Sequence, residues 1–209
     1  MFHNKDLAVS SGKKLAEAKQ ALIMLHGRGA SAADILAMAP YLNIADYAWV
    51  APQATNNTWY PYSFLVPTEQ NEPGLSSALQ MLGKIVEDIK AIGISPKRIY
   101  FLGFSQGACL TLEFVTRNAQ RWGGLVAFTG GLIGDGIDQK KYPGDFAGTP
   151  VFIGSSNPDP HVPLERVEAT VQVLKNMHAD VTVKIYPGMG HTVNKDEIDQ
   201  ANALVFLKK

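Results

Sequence analysis

The chain's own pattern is that of an α/β protein, a mostly parallel central sheet with helices on both faces. Short β-branched and aromatic runs alternate with longer stretches of helical periodicity, which is how strands joined by crossover helices appear in sequence. One such run leads straight into a glycine-flanked serine and then into another helical stretch, a strand-turn-helix setting. No repeat, low-complexity tract or linker divides the 209 residues, of which 46% are hydrophobic. That length and composition suit one domain, residues 1–209, with a large buried core.

Taken in order, the first twenty residues suggest one or two short antiparallel strands at a sheet edge. Strands are then expected at Ala21 to Leu25, Ala48 to Ala51, Arg98 to Leu102, Leu125 to Phe128, Val151 to Ile153 and Val181 to Ile185. Helices are expected between them. In Ser76 to Ile92, Leu79, Leu82, Ile85, Val86 and Ile89 recur at helical spacing, and Gln106 to Asn118, Leu164 to Met177 and Asp196 to Leu207 follow the same pattern. Between Leu125 and Val151 there is no insertion long enough for a separate lid domain, so an open site is expected.

A formal net charge of zero offers no electrostatic attraction for nucleic acid or an anionic membrane. Met1 to Val9 lacks a basic segment followed by an apolar stretch, and no apolar run approaches spanning length. The expectation is a cytoplasmic protein without integral membrane association, with a homodimer left open. Asn56-Asn57-Thr58 matches a glycosylation sequon but is read as a polar loop. The single cysteine, Cys109, is expected to be a buried packing residue. No pair of histidines or cysteines has metal-ligand spacing, and no cofactor is implied.

The chemistry is carried by Gly103-Phe104-Ser105-Gln106-Gly107. A serine on a tight strand-to-helix turn needs small residues at both positions two away, because side chains there would meet the neighbouring strand and helix. A serine hydroxyl is a poor nucleophile near neutral pH and needs a histidine base oriented by a carboxylate. In a parallel sheet the reacting groups gather at the carboxyl ends of strands. Asp159, after the strand ending at Ile153, and His191, after the strand ending at Ile185, fit these roles. The order Ser105, Asp159, His191 is that of an α/β-hydrolase. Each residue alone has a plainer reading, Asp159 as a turn residue between prolines and His191 as a loop residue among glycines. Asp135 is the second candidate acid. His161 is assigned to the rim or to structure, His178 to the terminal carbonyls of its helix, and His3 to a loose terminus.

An oxyanion formed in acyl transfer must meet fixed N–H donors. The amide of Gln106, at the start of a helix, is one candidate. The amide of Arg28, in His26-Gly27-Arg28-Gly29, is the other, with His26 holding that loop rather than transferring protons. A loop dense in aromatics, Trp59-Tyr60-Pro61-Tyr62-Ser63-Phe64, suggests an apolar wall for an acyl chain. Trp59, Tyr60 and Phe64 are its candidate residues, with Leu132 completing it.

Together with Asp159-Pro160-His161-Val162-Pro163 and Gly190-His191, these segments resemble the phospholipase/carboxylesterase family of α/β-hydrolases, which includes acyl-protein thioesterases and lysophospholipases. The resemblance covers nearly the whole chain. It implies Ser105 as nucleophile, Asp159 and His191 as its partners, and the Arg28 and Gln106 amides as oxyanion hole. Thioesterases of the family usually carry leucine, glycine and aspartate after the His-Gly pair, where this chain has Arg28-Gly29-Ala30. The expectation is therefore a carboxylesterase acting on short to medium acyl esters of small molecules. The alternatives are a lysophospholipase or thioesterase, or a catalytically silent binding protein.

Overall fold

The computed structural model describes residues 2–207, so Met1, Lys208 and Lys209, which the one-domain expectation includes, lie outside the described residues. The strands are β1 (Val9–Gly12), β2 (Ala21–Leu25), β3 (Ala48–Ala51), β4 (Ile99–Phe104), β5 (Gly124–Phe128), β6 (Pro150–Asn157) and β7 (Asp180–Pro187). They form one sheet in the order β1-β3-β2-β4-β5-β6-β7. Only the β1–β3 pairing is antiparallel. The helices are α1 (Ala32–Leu36), α2 (Gly74–Ala91), α3 (Gln106–Arg117), α4 (Leu164–Asn176) and α5 (Lys195–Leu204).

Because successive side chains of a strand point to opposite faces, the sheet divides the core in two. Ala21, Ile23, Leu25 and Phe101 pack with Leu82 and Ile85 of α2, Leu110 of α3 and Val167 of α4. Leu22, Met24, Tyr100 and Leu102 face the other way, onto Ile35 of α1 and Ala201 of α5. Central strands buried on both faces read as continuous apolar runs, and β2 is buried at all five positions.

Several element ends differ from expectation. β6 continues to Asn157 and β7 runs from Asp180 to Pro187, in register down to Asn157 opposite Pro187. Gly154-Ser155-Ser156-Asn157 has the composition of a loop, but strand pairing overrides that local preference. α5 stops at Leu204 rather than Leu207, since Val205 and Phe206 turn into the core. There the Phe206 ring meets Tyr47 and Tyr100 at 6.4 and 6.0 Å. α1 was not expected. Its start is nonetheless written in the sequence as a capping box, with Ser31 and Asp34 each satisfying the other's amide.

Asn194 and Glu197 make the same device at the start of α5. Glu197 is wholly buried. Its Oε2 accepts the Asn194 N–H at 2.9 Å, while its Oε1 has no partner among the described residues. It fits only because position 154 is glycine, where a Cβ would overlap Oε1. Burial pushes its carboxyl up to about 7, against the opposing pull of the Asn194 amide bond. A carboxyl raised above its unfolded value holds its proton more tightly when folded, so its contribution to stability is full below about pH 4.5 and lost as pH rises toward 7. Urea midpoints of the parent and Glu197→Gln at pH 5, 6, 7 and 8 should show the parent losing ground to the variant across this window. A constant difference would mean that Glu197 does not titrate there.

Candidate active site

β4 ends at Phe104 and α3 begins at Gln106, so the whole reversal falls on Ser105, at φ 54° and ψ −120°. A non-glycine residue there is strained and persists only when its surroundings hold it. Here they do. A Cβ on Gly103 would overlap the Gly107 carbonyl, and one on Gly107 would overlap the Leu25 carbonyl oxygen. The Ser105 N–H donates to the Phe128 carbonyl at 3.0 Å, which ties the turn to β5.

Ser105 Oγ lies 2.8 Å from His191 Nε2, and His191 Nδ1 lies 2.9 Å from Asp159 Oδ2. A carboxylate on Nδ1 requires the proton there, which leaves Nε2 as the acceptor of the serine hydroxyl. The other oxygen of Asp159 accepts the amides of His161 and Val162 at 2.8 and 2.9 Å. Burial alone would raise this carboxyl. The hydrogen bonds from the His161 amide, His191 and the Val162 amide more than offset that and hold it below the usual carboxylate range. One contributor escaped the sequence reading. Ser156, on the extended part of β6, accepts the Gly190 N–H at 3.0 Å and so joins the His191 loop to the strand that leads to Asp159.

The remaining acids and histidines lie elsewhere. Asp135 is exposed and holds its own loop, through Gly136 N–H and Arg166. The His161 ring meets His191 edge-on at 4.8 Å, on the rim. His178 pairs with Asp145 at 2.8 Å rather than with helix carbonyls. The reading of His3 is also corrected, since its ring is fixed between the Trp59 carbonyl and the Thr55 N–H. His26 accepts the Ala54 N–H on Nε2 and donates from Nδ1 to the Gly27 carbonyl. Burial lowers its pKa, so it stays neutral and structural.

Among the described residues, neither the Arg28 nor the Gln106 backbone N–H donates to a protein acceptor. Their side chains have a task that the sequence did not disclose. The Arg28 guanidinium donates to Thr58 Oγ1 and to the carbonyls of Tyr60, Pro61 and Tyr62. The Gln106 amide group accepts the Trp59 N–H and donates to the Tyr60 carbonyl. Both residues thus fasten the aromatic loop. That loop, with Ser105, Cys109, His191 and Pro160 to Pro163, encloses a cleft of about 700 Å³. Tyr60 and Phe64 line it. Trp59 and Leu132 do not: both are 0% exposed. Trp59 packs against His26 at 4.8 Å and donates to its carbonyl, while Leu132 is fixed by Thr170 and Arg166. Neither is among the residues that line the cleft, and both pack in the core instead of on the wall assigned to them. Cys109 forms part of the cleft, and burial pushes its thiol up to about 12, which suits packing rather than reaction.

A family model described as Phospholipase/Carboxylesterase matches residues 4–209. The chain is 29% identical to acyl-protein thioesterase 1 of Eremothecium gossypii, over 91% of this chain and 88% of that protein. It is also 29% identical to acyl-protein thioesterase 1 of Kluyveromyces lactis, over 97% and 96%. A crystal structure of a phospholipase/carboxylesterase from Dyadobacter fermentans superimposes with a TM-score of 0.97 at 52% identity, covering 100% of this chain and 99% of the other.

Removing the guanidinium should loosen the loop it holds. Arg28→Met is expected to speed amide hydrogen exchange at Trp59 and Tyr62 by about tenfold, the equivalent of roughly 1.4 kcal/mol of local stability, which is modest for hydrogen bonds to a charged group. Unchanged exchange would mean that Gln106 and Asn71 hold the loop unaided.

Proposed function

Because the chain belongs to the phospholipase/carboxylesterase family of α/β-hydrolases, we propose that it is a serine hydrolase cleaving carboxylic esters of short to medium acyl chains through an acyl-serine intermediate. The observation that carries this reading is the unbroken hydrogen-bonded line from Ser105 through His191 to Asp159. In it, Ser105 Oγ attacks the ester carbonyl carbon while His191 Nε2 takes its proton. The oxyanion meets the amides of Arg28 and Gln106, and negative charge there is further favoured by the start of α3. As the intermediate collapses, the C–O bond to the alcohol breaks and His191 returns the proton to the leaving oxygen. Water then repeats the sequence to release the acid. Asp159, held as a carboxylate, keeps the proton of His191 on Nδ1 throughout.

The acyl chain is proposed to lie in the cleft along Tyr60 and Phe64. The thioesterase reading draws on the names of the two fungal relatives. The ester reading draws on Arg28, whose charge stands at the cleft where thioesterases of the family usually carry leucine. A silent binding protein would have no use for a base poised on a strained serine. Residues 1–209 are taken as a single domain, and a cytoplasmic location and a homodimer remain part of the proposal. None of the described helices is long and apolar enough to cross a membrane.

Ser105→Ala should lower kcat on p-nitrophenyl butyrate by several orders of magnitude and abolish labelling by a fluorophosphonate, with the circular dichroism of the fold retained. Parent-level turnover in that variant would overturn the assignment. Asp159→Asn should cost about a thousandfold or more by favouring the wrong tautomer, whereas Asp135→Asn should change kcat by less than about threefold. The opposite ranking would move the acid to the loop after β5.

A further inference from the structure

A second cavity, of about 720 Å³, lies on the other face of the sheet, between α1 and the segment entering α5. Ile35, Met38, Tyr41, Val193 and Ile198 make its apolar body, with Asp34, Lys195 and Asp199 also along it. It shares no lining residue with the Tyr60 cleft. One end of it nevertheless lies beside the proposed reaction centre, although neither Ser105 nor His191 lines it. Gly27, Phe104 and Thr192 belong to it, and each is the chain neighbour of a group proposed above to act: Arg28, Ser105 and His191. A Cβ on Gly27 would lie 3.4 Å from Ser105 Cβ, and the Phe104 ring stands 5.2 Å from that of His191. The cavity therefore ends against the chain neighbours of Ser105 and His191, which themselves line the Tyr60 cleft.

An ester has two arms. With the acyl arm along Tyr60 and Phe64, the alcohol arm must leave the carbonyl carbon in another direction, with its oxygen within reach of His191 Nε2, which returns the proton to it. We propose that the cavity between α1 and α5 is the subsite for the apolar body of the leaving alcohol, with Met38, Val193 and Ile198 setting how large that body can be. The proposal rests on the ester-hydrolase reading and names the half of the substrate that this reading leaves open. The natural substrate is then an ester apolar on both arms, not the ester of a small polar alcohol.

Two matched series of esters test it. One keeps the acetyl group and lengthens the alcohol from ethyl to butyl to hexyl. The other keeps ethanol and lengthens the acyl chain over the same steps. Primary alkyl alcohols leave with nearly equal ease, so the first series reports binding of the chain. Burying a methylene is worth up to about fourfold in kcat/KM, and partial burial of four should favour hexyl over ethyl acetate by roughly tenfold or more. Ile198→Trp, which fills the cavity, should cut that ratio to about threefold or less and leave the hexanoate-to-acetate ratio as in the parent. Met38→Trp, on the opposite wall of the cavity, should do the same and serves if Ile198→Trp fails to fold by circular dichroism. A flat alcohol series in the parent, or an unchanged alcohol ratio in both folded variants, overturns the proposal. So does a fall confined to the acyl ratio, which would place the acyl chain in this cavity. A parent that cleaves neither series and takes no fluorophosphonate would instead overturn the ester-hydrolase premise itself.

Discussion

The turn at Ser105 is the constraint on which the other parts of the site depend. A residue at φ 54° with glycine-only space on both sides cannot be accommodated by adjusting one neighbour, since the opposing atoms at Gly107 and Leu25 are backbone. β2 must therefore run beside β4 in the observed register, Leu25 opposite Gly103. That register in turn delivers His26, Gly27 and Arg28 to the flank of the serine. The start of α3, the loop after β2 and Ser105 are one packing problem with one solution.

Around that fixed point the chain economises on residues. Arg28 and Gln106, whose backbone amides have no protein acceptor among the described residues, use their side chains to tie down Tyr60 and its neighbours. The shape of the cleft is thereby linked to the geometry of the proposed oxyanion site. A change that displaces the loop pulls on the same two residues whose amides would face the developing charge. Glu113 plays a comparable part below the site. Wholly buried on α3, it accepts from Arg117, from the Ile133 N–H and from Tyr142, and so fixes the stretch after β5 to the helix that follows Ser105.

The fold class and all seven strands were legible because apolar alternation and punctuation by Gly and Pro are local signals. The bounds of β2 and β3 agree to the residue. Ser105 was named from its glycine-flanked turn and Asp159 and His191 from chain order and strand ends, and His191 stands within hydrogen-bond distance of both. What the sequence withheld was tertiary. Nothing near Gly154-Ser155-Ser156-Asn157 announces that it pairs with β7. Nothing in an aromatic loop tells which rings turn inward, so Trp59 was placed on the wall when it lies in the core. Arg28 was read for its backbone amide alone, because the four acceptors of its side chain are some thirty positions away. α1 alone was lost to oversight, as Ser31 and Asp34 carry a cap that a closer reading would have found.

The extension of β6 and β7 has a mechanical consequence. Asp159 and His191 leave the sheet just beyond the ends of two strands paired along eight residues, and Ser156 bonded to Gly190 closes the ladder at that end. Displacements of this two-stranded ribbon carry acid and base together, so their mutual distance is stiff. Ser105 stands at the end of β4, with β5 intervening, and is locked to a different part of the molecule. The compliant coordinate of the site is therefore the approach of His191 to Ser105. It spans the twist of the sheet from β4 to β7, across β5 and β6.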